Sequence, residues 1–543
     1  MSTQTLTPAA AGRRRSDALE ATVAEAAGAA DVTPGAGAAA EAGSAKARAG
    51  MAMSLATFAM AAASAIQAVL YLGKFGTNAR TDGFFVAFAL YSTFGVFSQS
   101  LRVTSVPLLV QPGARLSARR FAATLGLIAL PVLLLTVPLA HPLAALIAPG
   151  LSAHGRAITA AALPVLGCAM VLQLWAAGGA TVLAVRDRFT TIAGAYMAGA
   201  LCGLIAFVAL MNSAGVQTLG FSMLTMSVVT CGWMLVGVRG SGGLDREGVR
   251  SPGWGAGLVR DCGVVLGRTA IYLAFNVLFV ITLAFGSRSA AGGTTVLSYA
   301  YLFVSYLVAG TGMALGMSSI PDLTREARAQ QRTMVSSAVP RGFRYALLIC
   351  APALAALIVA GAPLVHAVLP RSLSAAEAHT LRVFAALLTP WLLAALIVNF
   401  LLPVLLALGR ARLLGALALP LVLLQLAATA LGSALFGVDG AVGAFWIAPS
   451  CLAAVLLIAT AGRSGAGVLL RQLGRDALRF LALAALAFGG GWLIGAALPA
   501  PELVQAAVAG LIGCAVYLAG LWLVARQQLQ VVLGALVPRP AAA

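Results

Sequence analysis

Long apolar runs dominate this chain from residue 53 to residue 525, and only short polar breaks separate them. Fourteen such runs cover about 53–73, 83–101, 121–140, 157–185, 189–211, 214–238, 263–287, 289–321, 345–370, 383–409, 413–438, 440–462, 480–501 and 503–525. Runs of this length match the ~30 Å hydrocarbon core of a bilayer. In lipid they must be helices, because each backbone polar group needs a partner within its own segment. The sequence predicts an all-α polytopic membrane protein with fourteen transmembrane helices.

The composition excludes a soluble fold. Hydrophobic residues make up 61% of the chain and charged residues 9%, whereas soluble domains carry about 25% charged residues. The net charge of +19 follows the loops rather than one surface, so a nucleic-acid partner is not predicted. Arginine outnumbers lysine by 33 to 2, which is typical of a G+C-rich bacterial genome.

The basic residues also predict the orientation. If the N-terminus is cytoplasmic and the runs alternate sides, 28 of the 35 cationic residues fall on the cytoplasmic face and six on the opposite face. Such a bias follows the positive-inside rule. We expect a multi-pass protein of the bacterial cytoplasmic (inner) membrane with both termini in the cytoplasm.

A weak internal repeat suggests how the helices are grouped. Phe75-Gly76 opens a segment ending Ser105-Val106-Pro107, and Phe285-Gly286 opens one ending Ser319-Ile320-Pro321 about 210 residues later. An offset of six helices relates two lobes of equal orientation. The predicted domains are a disordered Ala/Gly-rich cytoplasmic tail (1–52), an N-lobe (53–240, helices 1–6), a C-lobe (241–462, helices 7–12), and helices 13–14 with a short cytoplasmic tail (463–543).

The ionisable residues exclude several kinds of chemistry. All sixteen acids fall in tails, loops or the ends of runs, which argues against carboxylate-dependent antiport. The sequence has no H-E-x-x-H motif, no Walker A motif and no C-x-x-C pair, so neither a metal nor another cofactor is predicted. We expect a transporter and not an enzyme.

Polar residues within the runs are candidates for a substrate path. Arg268 lies inside the seventh run, and a cation there either faces a cavity or snorkels to the headgroups. Gln67 and Asn276 either line a polar path or form hydrogen bonds between helices.

One stretch resembles a known family. Residues 73–88 read GKFGTNARTDGFFVAF, which is similar to the first loop and second helix of the MurJ/MviN family. A second similarity, to the family's eighth helix, lies in Leu297–Ala300 (LSYA), 312–316 (GMALG) and 320–323 (IPDL). The resemblance covers residues 53 to 525.

The resemblance implies the multidrug/oligosaccharidyl-lipid/polysaccharide (MOP) exporter fold, with two six-helix lobes forming a V around a cavity and two extra C-terminal helices. Members of the family flip lipid II, the undecaprenyl-diphosphate-linked peptidoglycan precursor. Asp82 matches the family's acid. The positions that correspond to the family's cavity arginines and acids are occupied by neutral residues at 61, 67, 68, 95, 96 and 302.

The resulting hypothesis is a flippase of a polyprenyl-diphosphate-linked envelope precursor, with lipid II as the best single guess. Its expected partners are that anionic precursor, membrane lipids and envelope-synthesis proteins. The expected substrate-binding residues are Arg268, Arg102, Lys74, Arg80, Asp82, Gln67 and Asn276. Three alternatives stay open: a flippase of another lipid-linked polysaccharide, a drug exporter, and a MurJ-like scaffold that transports nothing.

Overall fold

The computed structural model describes residues 59–60, 62–64, 66–110, 117–242, 254–308, 311, 328–361 and 374–524. Within these ranges the regular structure is helical throughout and includes no strand. The helices are α1 (66–75), α2 (Ala79–Val110), α3 (Ala118–Thr136), α4 (Ala140–Ile147), α5 (Ala153–Val185), α6 (Phe189–Leu210), α7 (Thr218–Gly240), α8 (Trp254–Gly286), α9 (Gly293–Val308), α10 (Arg328–Ala356), α11 (Ala375–Leu387), α12 (Thr389–Ala407), α13 (Ala411–Gly443), α14 (Ile447–Ala496) and α15 (Glu502–Val524). The predicted all-α class is confirmed.

Nine helical segments within the described ranges are long and apolar enough to cross a membrane. One of them, Ala411–Ala496, has 86 residues and is therefore several times longer than a single crossing requires. It bends at Gly437 and Gly462, whose φ angles are 64° and 77°, a backbone region that glycine adopts without a steric penalty. The polytopic membrane fold is confirmed, whereas the count of fourteen and the predicted domain boundaries stay predictions. The predicted tail 1–52 lies outside the described residues.

Local sequence determines where several helices begin. The hydroxyl of Ser117 accepts a hydrogen bond from the backbone N–H of Arg120 at the start of α3, and Ser152 does the same for Gly155 at the start of α5. Ser374 and Glu377 form a reciprocal capping box at the start of α11. Each cap satisfies backbone donors that a helix leaves unpaired at its N-terminus.

Helix α8 begins earlier than the apolar run that predicted it. The run starts at residue 263, whereas the helix starts at Trp254. An apolar run bounded by charged residues predicts too short a helix when the end of that helix is itself charged. Charged residues can lie at the headgroup level while the backbone stays helical. Arg268 consequently lies fourteen residues after the start of α8 rather than about six.

Small residues let neighbouring helices approach closely. A Cβ atom on Gly83 of α2 would collide with the carbonyl oxygen of Gly155 on α5, and Thr159 on α5 donates a hydrogen bond of 2.8 Å to the carbonyl of Gly83. Gly491 and Gly495 of α14 approach the backbone of α15 in the same way. Close packing and interhelical hydrogen bonds of this kind hold helices together in lipid.

Helix α8 connects the two parts of the molecule. We refer to α1–α7 as the first half and to α8–α15 as the second half. Helix α8 packs along α13 in the second half and also along α2 and α3 in the first half. It therefore lies at the contact between the halves, where side chains from both can meet.

The two ends of the bundle differ in charge. We call the end at which α3 and α6 begin and α5 and α7 finish the arginine-rich face, because it carries Arg119, Arg120, Arg186, Arg188 and Arg239. We call the other end, at which α2 and α9 begin, the opposite face. These two names are used below for the position of each contact.

Candidate functional site

The two halves are connected at the opposite face through Asp82. Its carboxylate, in the first turn of α2, accepts hydrogen bonds from the backbone N–H groups of Gly292 (2.6 Å) and Thr295 (2.7 Å). The hydroxyl of Thr295 donates a third hydrogen bond of 2.7 Å to the same carboxylate. A residue of the first half therefore caps α9, a helix of the second half.

The chemistry of a helix end explains this contact. The first N–H groups of α9 have no partner within the helix, and they carry partial positive charge that favours an anion. Asp82 is only 2% exposed. Burial raises the pKa of its carboxyl above the ordinary value, and the hydrogen bonds from Thr295 and Gly292 offset part of that rise.

Two further contacts join the halves at the same face. The hydroxyl of Thr77 donates a hydrogen bond to Glu377 at the start of α11, and the backbone N–H of Gly150 donates one of 3.1 Å to the hydroxyl of Ser287. Burial works to raise the pKa of Glu377, but hydrogen bonds from Thr77 and Ser374 outweigh it and the pKa is lowered. The opposite face is thus closed by at least three polar contacts between the halves.

An ion pair joins the halves near the arginine-rich face. Arg120 of α3 pairs with Asp261 of α8, and the two side chains are 17% and 8% exposed. The next turns of these helices are packed with apolar side chains, among them Phe121, Leu125 and Val265. The halves are therefore in contact at both ends of α8.

Arg268 lies two turns along α8 from Asp261, where α8 faces α2. Its Nη1 atom approaches the carbonyl oxygen of Thr104 at 3.5 Å, and its side chain is half-buried. This geometry directs the guanidinium across the contact between the halves, towards the backbone of the first half.

Asn276 and Gln67 each have a hydrogen-bond partner for the side-chain amide. Asn276 lies two turns further along α8 and donates its side-chain N–H to the backbone carbonyl of Tyr272 in the same helix. The backbone carbonyl of Asn276 accepts a hydrogen bond of 3.4 Å from the hydroxyl of Thr93 on α2. Gln67 is buried and donates to the hydroxyl of Ser222 on α7 at 3.0 Å. The contact of Gln67 is thus a hydrogen bond between helices of the same half.

The remaining candidates lie at the ends of helices. Lys74 and Arg80 are exposed at the opposite face, at the end of α1 and the start of α2. Arg102 belongs to α2, but its side chain lies outside the described residues. The six predicted residues whose side chains the structure describes therefore do not converge on one cluster. Asp82, Lys74 and Arg80 share the opposite face, Arg268 and Asn276 lie along α8, and Gln67 lies inside the first half.

Sequence reasoning missed the partners of these residues. Gly292 and Thr295 donate hydrogen bonds to Asp82, and Asp261 pairs with Arg120. None of these three partners was predicted as a site residue. The string Gly292-Gly293-Thr294-Thr295 at the start of a helix was a usable signal, since its unpaired N–H groups require an acceptor. Asp261 gave no comparable signal, and its partner Arg120 lies 141 residues earlier in the chain.

Comparison with known proteins supports the fold. No protein-family model matches the chain, and no curated protein matches its sequence. A solved structure of the lipid II flippase MurJ in an inward closed conformation superposes with a TM-score of 0.66 at 15% identity, covering 88% of this chain and 99% of that one. A MOP superfamily transporter from Pyrococcus furiosus gives 0.51 at 15% identity, with 78% and 96% covered. An inward-facing multidrug resistance MATE family transporter gives 0.53 at 14% identity, with 75% and 95% covered.

These similar structures are all membrane transporters, and none is an enzyme. At identities of 14–15% the likeness establishes the architecture and not the substrate. The architecture agrees with the resemblance found in residues 73–88. The chain therefore shares its fold with the solved structures of the MurJ flippase and of MOP superfamily transporters.

Proposed function

We propose that this protein is a flippase of a polyprenyl-diphosphate-linked cell-envelope precursor, with lipid II as the first substrate to test. The observation that supports the proposal most directly is the similarity to the MurJ structure, which extends over 88% of this chain and 99% of that one. The proposal includes an orientation in which the arginine-rich face is cytoplasmic, because basic residues favour that side. On this orientation Asp82 lies at the periplasmic end.

A diphosphate headgroup needs cations along its path. Arg268 projects across the contact between the halves, and a guanidinium can bind phosphate oxygens through two parallel hydrogen bonds. We assign it the role of binding the headgroup. Lys74 and Arg80 are exposed at the opposite face, and we propose that they receive the headgroup where it leaves.

Recognition by this chain differs from recognition by the family it resembles. Gln67 is engaged with Ser222, and the backbone carbonyl of Ala68 accepts a hydrogen bond from the hydroxyl of Tyr299 at 3.0 Å. These positions correspond to charged residues of the family. Fewer cations are therefore available to bind the substrate, which favours a lipid-linked glycan whose phosphate is held by fewer cations.

The direction of transport requires no coupled ion. Exporting an anion from a negative interior is favoured by ~2.3 kcal/mol per charge per 100 mV. Two negative charges on a diphosphate gain roughly 4–5 kcal/mol on the same scale. The membrane potential is sufficient to drive this step, provided that the binding cations stay with the protein.

Drug export is the alternative that the MATE structures raise. Export of a cationic drug by proton exchange uses a buried carboxylate that can bind and release a proton. Within the described residues, the buried acids Asp261 and Asp476 pair with Arg120 and Arg344, and Asp82 caps α9. These contacts leave the three acids poorly suited to that role, so the flippase is favoured over a drug exporter.

A flipping assay in proteoliposomes tests the proposal. Fluorescent lipid II, a fluorescent polyprenyl-diphosphate glycan without the peptide, and fluorescent phosphatidylcholine are each incorporated, and the outer-leaflet dye is bleached chemically. We expect movement of at least one diphosphate-linked lipid, under an imposed potential, and none of phosphatidylcholine. Failure to move either diphosphate lipid would leave a non-transporting scaffold as the better account.

A further inference from the structure

A cavity of about 330 Å³ lies between α3, α5 and α7 in the first half. Two residues of its wall, Phe121 and Leu125, also belong to the apolar cluster that includes Val265 of α8. Helix α3 contributes Phe121, Ala122 and Leu125 to its wall, and α5 contributes Trp175 and Val182. The size falls within the range of small-molecule sites in proteins, roughly 300–1,000 Å³.

The wall follows the helical repeat on all three helices. Residues 118, 121, 122 and 125 of α3 share one face, as do 175, 178, 179 and 182 of α5, because positions i, i+3, i+4 and i+7 align on a helix. From residue 118 to residue 125 the groove runs ~10 Å along α3. It therefore extends from the arginine-rich face into the apolar part of the bundle.

The other face of α3 is already occupied. Arg120 points towards α8 and pairs with Asp261, whereas the groove lies on the far side of the helix. The groove is partly open between α3 and α7, where Leu235 and Arg239 are exposed. In a bilayer this opening faces lipid, so the natural occupant of an apolar slot is an acyl chain.

Positive charge surrounds the mouth of the groove. Arg239, in the last turn of α7, belongs to its lining. Arg186 lies one turn beyond Val182 and donates hydrogen bonds to the hydroxyl of Ser241 (2.7 Å) and to the carbonyl of Val238 (3.4 Å), a residue of the wall. These contacts hold a second guanidinium at the mouth. Asp187, exposed in the adjacent turn, offsets part of this charge.

We propose that this cavity binds one acyl chain of an anionic phospholipid, whose phosphate contacts Arg239 and Arg186. The apolar wall accepts the chain, and the two arginines at headgroup level select a negative headgroup. Basic pockets between transmembrane helices at the cytoplasmic surface recognise anionic lipids in this way. The proposal does not depend on the transported substrate.

Quenching of Trp175 by brominated lipids tests the site. The protein is reconstituted with phosphatidylglycerol or phosphatidylcholine brominated on the acyl chains, and the signal of Trp175 is taken as the difference between wild type and Trp175→Phe. We expect Trp175 to be quenched at a lower mole fraction of phosphatidylglycerol than of phosphatidylcholine. Equal quenching by the two lipids would overturn the proposal.

Two kinds of variant locate the lipid. Arg239→Gln should reduce the preference for phosphatidylglycerol about fivefold, since one basic residue at a membrane surface contributes roughly 1 kcal/mol. Arg471→Gln, an exposed arginine on α14, is the matched control and should leave the preference unchanged. Ala122→Phe fills the groove and should reduce quenching by both lipids, and Ala118→Leu provides a second filling variant if the first does not fold.

The remaining outcomes are also decisive. If folded filling variants are quenched as strongly as wild type, the lipid reaches Trp175 from outside the groove and the site does not exist. If an unlabelled polyprenyl-diphosphate lipid displaces the brominated phosphatidylglycerol, the groove holds a substrate tail instead. Either result would contradict a phospholipid site.

Discussion

Oδ1 of Asp82 accepts two hydrogen bonds from Thr295, one from the backbone N–H and one from the hydroxyl, each at 2.7 Å. The two residues are 213 positions apart and belong to different halves. A transporter must separate its halves at this face to release a substrate there. For the proposed flippase we therefore infer that the capping contact is a latch that holds the opposite face closed.

Removing the latch should expose the start of α9. In Asp82→Ala the N–H groups of Gly292 and Thr295 lose their acceptor, and loss of an N-cap costs about 0.5–2 kcal/mol. Hydrogen exchange of residues 292–296 should accelerate, and Asp82→Asn should have a smaller effect because it retains one acceptor. Asp439→Ala, at an exposed acid, is the control. Unchanged exchange in Asp82→Ala would refute the latch.

Breaking the Arg120–Asp261 pair should loosen the arginine-rich face. Arg120→Gln leaves a largely buried carboxylate without its counter-charge, at a cost of about 3 kcal/mol. Spin labels at positions 188 and 471, in a background without the native cysteines, should report a broader distance distribution. The charge swap Arg120→Asp with Asp261→Arg should restore part of the wild-type distribution.

The second ion pair provides a matched control for this experiment. Nε of Arg344 lies 2.6 Å from Oδ2 of Asp476, and both residues belong to the second half. Arg344→Gln should lower the unfolding temperature without changing the distance between the halves. A broadening equal to that of Arg120→Gln would show that the distance reports general destabilisation.

Arg268 should affect transport more than stability. A charge-assisted hydrogen bond contributes roughly 1.5–3 kcal/mol, so Arg268→Ala should slow flipping of a diphosphate lipid about 10- to 150-fold. Arg268→Lys should recover part of the rate, because a point charge replaces the planar fork. Arg471→Ala controls for loss of charge alone. Equal rates for wild type and Arg268→Ala would remove this residue from the site.

The orientation can be measured by cysteine labelling of intact cells. Asp82, Glu377 and Asp439 are predicted to face outside, and Arg120, Arg328 and Arg475 the cytoplasm. Asp82 is buried, so a cysteine at 439 is the better external probe and one at 475 its cytoplasmic counterpart. The native cysteines must first be replaced, since Cys168, Cys451 and Cys514 are exposed. Labelling at 475 from outside would invert the proposed topology.

Substitution for a lipid II flippase should fail. Loss of three charge-assisted bonds weakens binding by about 4.5–9 kcal/mol, or three to six orders of magnitude, and the resembled family has charges at several positions that are neutral here. Cells depleted of their own flippase and expressing this protein at verified membrane levels should not survive. Full rescue would establish lipid II as a substrate despite those neutral positions.

The sequence alone determined the membrane class and the helical fold. Long apolar runs with few charges leave the backbone no partner except itself, so helices follow from composition and spacing. The apolar runs predicted the start of α8 less accurately. Arg260 and Asp261 are helical residues, but a prediction from apolar runs assigns them to a loop. The resemblance in residues 73–88 also led to the correct fold.

Only the tertiary structure decided what the polar residues contact. Gln67 and Asn276 are equally polar in sequence, yet one bonds to Ser222 across a helix interface and the other to Tyr272 in its own turn. Asp82 meets Thr295, and Arg120 meets Asp261, over separations of 213 and 141 residues. Such pairs depend on how the two halves dock, which is a property of packed surfaces. Periodicity and charge along the chain specify each helix by itself, but not which faces of distant helices come together.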